Sequence, residues 1–392
     1  MAGAAPSYEE MVRRARDLAP VLRERAAEAE RLRRVPDTTV ADLQASGLFR
    51  AYQPARYGGA EIPFRGMIEL GAWLASGCAS TSWVYNNLVS HNWLLGYWPP
   101  PAQDDVWVPD PAALIGSGLV MAEGSLHKVE GGWRLSGRWP FSSGIDPVEW
   151  VMLGSRFEPA AGAAEPHLFL VPRADYRVVD TWHAMGLAAT GSKDVVVEGA
   201  FVPDHRAVPT SVGRGGAHPG SAVNSGPLYR LPWLPVFSFV TAGTSLGVAQ
   251  GAVRDFAAAM RDRAATYSGK LLHDLATVQM RLAEAATLVD AAETVLLKDC
   301  DEAWAAAETG AEPALVDKAR WRRDGAYAAQ LAARAVDIVF AGTGGSAIHA
   351  THPLQRALRD IHAANGHIGV SWDLNGAIYG RVALDLAPDF PL

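Results

Sequence analysis

GGWRLSGRWPFSSG, residues 131–144, marks the point where the chain changes its period. Helix-like spacing precedes it, and short β-rich runs follow: WVMLGSRF (150–157), HLFLVP (167–172), RVVDTW (177–182) and DVVVEGAFVP (194–203). Each run is rich in β-branched or aromatic residues and is bounded by Gly, Pro or Asp, the punctuation of strands. Residues 106–208 therefore read as an antiparallel β domain, expected to form a small barrel.

Working outward, residues 1–105 read as an N-terminal helical domain. ARDLAPVLRERAAEAERLRR (15–34) places Leu18, Leu22 and Ala26 on one side of a charged helix. Pro36 and Asp37 open a second helix, with Thr38 and Thr39 as cap candidates and Gly47 near its end. The long apolar stretch 64–98 reads as one or two buried helices, closed by Pro99, Pro100 and Pro101. On the other side, residues 209–228 are rich in Gly, Ser and Pro and read as a linker or mobile loop. Amphipathic, Ala-rich stretches at 240–265, 271–308 and 313–341 then suit a C-terminal four-helix bundle within 209–392. Helices, then strands, then helices define an α+β chain and argue against a doubly wound sheet. No internal repeat and no GxGxxG are found.

The composition narrows the function classes. A 392-residue chain that is 49% hydrophobic and 20% charged is ordinary for a globular protein. Its net charge of −7 and lack of a basic run give no reason to expect nucleic acid. Cys78 and Cys300 are too few for a disulfide framework or a metal cluster, so a reducing, cytoplasmic setting is expected. The N-terminus carries charges of both signs and no apolar core, unlike a signal peptide. Leu231–Val253 is uncharged but holds two prolines and several hydroxyls, and reads as a buried helix with its lead-in rather than a membrane span. The thirteen tryptophans fit either core filling or an aromatic pocket.

Several stretches carry a resemblance by their order and spacing. They are LFRAYQPARYGGAEI (48–62), GGWRLSGRWPFSSGID (131–146), GLAATGSKDVVVEGAFVP (186–203), RDRAATYSGKLLHDLATVQMRLAEA (261–285) and HPLQRALRDIHA (352–363). Together they resemble the acyl-CoA dehydrogenase fold across nearly the whole chain. Within that superfamily the chain is most similar to flavin-dependent monooxygenases, the oxygenase halves of two-component systems such as 4-hydroxyphenylacetate hydroxylases. SHNWLLGYW (90–98), WPFSSGID (139–146) and RDIHAANGH (359–367) favour that branch.

A dehydrogenase of this fold needs a carboxylate to remove an α-proton. No Glu follows Glu312, and none lies between Glu198 and Glu284, so both places where the family carries its base are empty. Aligning the Arg359–Asp360 pair puts His367 or Ile368 at the C-terminal base position, and Asp360 itself reads as part of a structural ion pair. His367 and His91 match the substrate-facing histidines of the oxygenases, where an imidazole with a pKa near neutrality suits binding or deprotonating a phenol. His362, five residues from His367, points elsewhere on a helix, and His349 and His352 fall on a loop before Pro353 without a recognised metal motif.

The resemblance also implies flavin contacts. Ser143 aligns with a hydroxyl that meets flavin N5, Ser142 is its neighbour, and Ser117 in IGSGLV corresponds to another hydroxyl on the substrate or flavin side. Arg263, with Arg261 as rival, corresponds to an arginine that reaches the flavin. Gly344 in GTGGS (342–346) corresponds to a turn near the flavin phosphate or adenosine. Trp139, Phe141 and Trp182 are candidate walls for the ring. The implied reaction uses FADH2 or FMNH2 from a separate NAD(P)H:flavin reductase, with O2 and an electron-rich aromatic substrate, through a C4a-hydroperoxyflavin and without a metal. A homotetramer is expected. The alternatives are an N-oxygenase acting on an amine or amino sugar, an acyl-CoA dehydrogenase, and a non-enzymatic flavin-binding protein.

Overall fold

The computed structural model describes residues 6–157, 165–264 and 269–392. The first block holds α1 (Tyr8–Leu32), α2 (Asp37–Ala45), α3 (Gly66–Ala75), α4 (Ala79–Leu95) and α5 (Pro100–Trp107). The long apolar stretch thus splits into two helices, α3 and α4. α2 begins at an N-cap position taken by Pro36, whose ring carries no acceptor, so the helix has no side-chain cap, and the Thr39 hydroxyl accepts from Arg25 instead of capping.

The β block holds β1 (Ile115–Gly118), β2 (Glu123–Val129), β3 (Gly132–Ser142), β4 (Trp150–Phe157), β5 (Glu165–Pro172), β6 (Arg177–Val179), β7 (Lys193–Pro203) and β8 (Ala207–Pro209). They form two four-stranded sheets, ordered β1-β4-β5-β8 and β2-β3-β7-β6. One pairing departs from the antiparallel reading. β1 runs parallel to β4, with Ile115 opposite Trp150, because it enters from α5 and pairs across a connection that contains β2 and β3.

The C-terminal block holds α6 (Trp233–Arg261), α7 (Ala276–Thr309), α8 (Leu315–Thr343), α9 (Pro353–Asn365) and α10 (Trp372–Ala383). α6 is long and apolar enough to cross a membrane, but most of it is buried within the protein, against α3 on one side and α8 on the other. It is the central core helix, as the hydroxyls and prolines of its sequence suggested. Both cysteines are free and buried.

The expected linker at 209–228 is instead a series of short turns fastened to the first block. Asn224 donates to Gly96 O at 2.8 Å, and the indole of Trp93 donates to Leu228 O at 2.9 Å. A Cβ on Gly220 would meet Gly96 O at 2.0 Å, so glycine is what permits the approach. Gly and Pro here build turns that pack, rather than a tether.

Asp360 corrects another expectation. Its carboxylate makes no ion pair with Arg359, which pairs with Glu30 at 2.7 Å. Asp360 is buried and accepts from the Leu187 N–H at 2.7 Å. Burial pushes its carboxyl up to about 6. The bond fastens the Gly186–Leu187 loop onto α9. Asp360→Ala should orphan that buried N–H and cost about 1–3 kcal/mol, seen as a lower denaturant midpoint than wild type.

Candidate active site

The three blocks meet around one cavity of about 420 Å³, within the roughly 300–1,000 Å³ typical of ligand sites. α4 supplies Trp83, Asn87, His91 and Leu94, whose spacing of four, four and three puts them on one helical face. α4 is buried nearly all round, so its sequence shows little amphipathic contrast. Some of its polar residues find partners, Asn92 donating to Phe49 O and Ser90 to Asn87 O, whereas the buried Asn86 amide has none among the described residues.

His91 bonds Ile115 O through Nδ1 at 2.8 Å. A carbonyl only accepts, so Nδ1 carries the proton. In the neutral ring Nε2 is then a bare acceptor, with no protein partner among the described residues. Burial pulls the His91 imidazole down to about 4, so it is uncharged at neutral pH.

His367 sits just past the end of α9, and the Asn365 side chain ties that end of the helix to α8 and α6. Asn365 donates to Ala329 O at 2.8 Å and accepts from the Ser245 hydroxyl at 3.0 Å. Nδ1 of His367 accepts from the Gly369 N–H at 3.1 Å. Nδ1 is therefore unprotonated, and the neutral ring carries its proton on Nε2. Burial pulls this imidazole down to about 4 as well. The ring stands edge-on to Trp83, centroids 5.3 Å apart, and touches Phe237. The two histidines thus enter the cavity as opposite tautomers, His91 offering a lone pair and His367 an N–H.

The end of β3 decides which of its residues face the cavity. A register shift between Trp139 and Ser142 bulges the strand and breaks its alternation. Phe141 is thrown outward, 72% exposed, with φ +61°, a costly conformation for an aromatic residue. It lines the cavity mouth and stands edge-on to Trp182 at 6.2 Å. Trp139 and Ser142 turn the other way. The Trp139 indole is fully buried and donates to Gly154 O at 2.7 Å, a core role that excludes it from the cavity wall. Ser142 is buried behind the wall and its hydroxyl has no partner among the described residues. Ser143 lines the cavity, and so does Ser117 on β1.

Arg263 and Gly344 lie outside this cavity, next to each other: Arg263 donates to Thr343 O at 2.8 Å. Arg261 is exposed at the end of α6. Residues 265–268 of the RDRAATYSGK stretch lie outside the described residues. His362 bonds Asp337 at 2.9 Å on the surface, and His352 caps α9 by accepting from Leu354 N–H. No metal-binding group of His, Cys, Asp or Glu occurs among the described residues.

Sequence reasoning missed the residues that brace the site. Arg322 bonds Asn375 at 2.9 Å and Leu234 O at 2.8 Å, and Asn375 in turn donates to Ile368 O at 3.2 Å. Thr190 and Ser192 line the cavity beside Ser143. Ser and Thr in a loop carry no signal until the fold brings them together.

Among the described residues, the cavity wall contains no Asp, Glu, Lys or Arg. It is an apolar, aromatic-lined chamber with two uncharged imidazoles and a row of hydroxyls, which defines a site for a planar aromatic group and for proton handling without fixed charge.

Residues 239–372 match the family model described as acyl-CoA dehydrogenase, C-terminal domain. The chain is 35% identical over 388 residues to the FADH(2)-dependent resorcinol hydroxylase, oxygenase component, of Rhizobium sp. (strain MTP-10005), covering 96% of this chain and 95% of that one. It is 30% identical to the p-hydroxyphenylacetate 3-hydroxylase, oxygenase component, of Acinetobacter baumannii, over 97% of this chain and 90% of that one. The structure of XiaF from Streptomyces sp. in complex with FADH2 and glycerol superposes with a TM-score of 0.90 at 31% identity, over 98% and 97% of the two chains. The chain belongs to the flavin-dependent monooxygenase oxygenase components built on the acyl-CoA dehydrogenase fold.

Proposed function

We propose that this protein hydroxylates a phenol-type aromatic substrate, using FADH2 delivered by a separate flavin reductase. The observation that carries the reading is the pair of uncharged imidazoles of opposite tautomer in a chamber without a carboxylate. The relatives named for FADH2, resorcinol and p-hydroxyphenylacetate support it.

The residues fit a flavin ring. Phe141 and Trp182 offer aromatic surface at the mouth, and Ser143 offers a polar contact within hydrogen-bond reach of the cavity. When bound, reduced flavin supplies the two electrons by which O2 is divided between the hydroxylated product and water. The bare Nε2 of His91 is placed to accept a hydrogen bond from a substrate O–H, which raises electron density on its ring. The Nε2–H of His367 donates a hydrogen bond to oxygen within the chamber. Trp83, Leu94, Leu119 and Phe237 keep water out, which suppresses side reactions. An acyl-CoA dehydrogenase would need a carboxylate here, and none lines the chamber.

The assembly we propose is a homotetramer. Tyr327 and Trp372 pack with tilted rings, centroids 5.1 Å apart, on the outside of the C-terminal block with substantial exposure, a surface that suits a partner. The mass in solution by light scattering tests this. The functional reading is tested with FADH2, O2 and a panel of phenols, indoles and amines. Hydroxylated phenol is the expected product. Oxidation of amines alone would replace this reading with N-oxygenation, and bleaching of oxidised flavin by acyl-CoA without O2 uptake would replace it with dehydrogenation.

A further inference from the structure

Four side chains and one backbone carbonyl form one chain of hydrogen bonds along the cavity wall. The Trp83 indole N–H donates to Ser143 Oγ at 3.1 Å. Ser143 Oγ lies 2.8 Å from Ser192 Oγ, which lies 2.6 Å from Thr190 Oγ1. Thr190 Oγ1 donates to Leu187 O at 2.9 Å. The direction of every link follows from its two ends. Leu187 O can only accept, so the single proton of Thr190 is committed to it. Thr190 must then accept from Ser192, and Ser192 must accept from Ser143. At the other end an indole N–H can only donate. Ser143 is left with its proton directed at Ser192, one lone pair taken by Trp83, and one lone pair unused.

The backbone holds this geometry in place. Gly144 N–H donates to Thr190 O at 2.8 Å, and Thr190 N–H to Leu187 O at 3.0 Å. Thr190 and Ser192 are both nearly fully buried, so water does not compete freely for their hydroxyls.

We propose that Ser192 and Thr190 are positioning residues that make Ser143 a hydrogen-bond acceptor only, so that the cavity favours flavin bearing an N5–H over the oxidised ring. Reduced flavin carries a hydrogen on N5, whereas oxidised flavin presents a lone pair there. An acceptor-only Ser143 matches the first and opposes the second. A hydroxyl free to rotate would serve both equally. This rests on the flavin site described above and adds residues that the comparison with relatives did not assign.

The test is the ratio of dissociation constants for oxidised and reduced FAD, measured anaerobically by titration with wild type, Ser192→Ala and Thr190→Val. Ser192→Ala removes the acceptor of the Ser143 proton, and Thr190→Val frees Ser192 to donate to Ser143 instead, so in either variant the Ser143 proton can turn into the cavity. The preference for reduced FAD should fall by about threefold to tenfold, the worth of one hydrogen bond. A purely structural role would weaken both redox forms alike and leave the ratio unchanged, which would overturn the proposal in whichever variant folds. Phe141→Ala separates this from failure of the site itself. Both redox forms should bind it more weakly, and unchanged binding of both would place the flavin elsewhere and remove the ground for the relay.

Discussion

His367→Ala is expected to lose most hydroxylated product while still consuming reduced flavin and O2, with the oxygen recovered as H2O2. His367 lines the cavity with its proton on Nε2, because Nδ1 accepts from Gly369 N–H, and no other group among the described residues uses that Nε2–H. No carboxylate or cation stands nearby on the cavity wall to take over. A proton-handling side chain of this kind contributes about 10²–10⁴-fold, so product per flavin consumed should fall by a factor in that range at most and by tenfold at least. The ring also packs against Trp83 and Phe237, so flavin binding should be measured on the same preparation. If product yield stays at the wild-type level, His367 has no role in directing oxygen to substrate.

His91→Ala should lower hydroxylation of a phenol by about 10²–10⁴-fold with a different signature. Its Nδ1–H is tied to Ile115 O, leaving Nε2 as the acceptor for a substrate O–H. Burial holds this imidazole at about 4. Above that pH the lone pair is present, and below it the ring is protonated and cannot take a proton. Wild-type hydroxylation should therefore stay level through neutral pH and fall as the pH approaches 4. The variant should lose that acid limb and regain rate as the pH rises towards the ionisation of the phenol itself near 10. A variant that keeps the wild-type pH profile would show that His91 only packs.

The sequence and the structure agree most closely where chemistry and punctuation coincide. The switch of period at 131–144 placed the β block, and the missing Glu with His91 and His367 located the chamber, because titratable residues are rare enough to stand out. Agreement fails where tertiary geometry chooses between neighbours. Ser142 and Ser143 look interchangeable until the bulge after Trp139 sends one into the core and the other to the cavity. Trp139 has the composition of a flavin wall, but its N–H is committed to Gly154 O within the sheets. Asp360 looks like half of an ion pair, yet Arg359 turns to Glu30 and the carboxylate holds a loop instead. Ser192 and Arg322 come from segments distant in sequence from Ser143, Leu234 and Asn375, which they hold, and their roles exist only as contacts. The turns at 209–228 have the composition of a tether and the packing of a strut.

The central claim is that this chamber transfers one oxygen atom from O2 to a phenolic ring. The most direct measurement is a single turnover with FADH2, isotopically heavy O2 and a small panel of phenols such as resorcinol. The expected result is a hydroxylated product carrying one heavy oxygen atom, with the yield collapsing to H2O2 in His367→Ala. Recovery of all consumed oxygen as H2O2 across the phenol panel, or a product whose new oxygen comes from water, would contradict it.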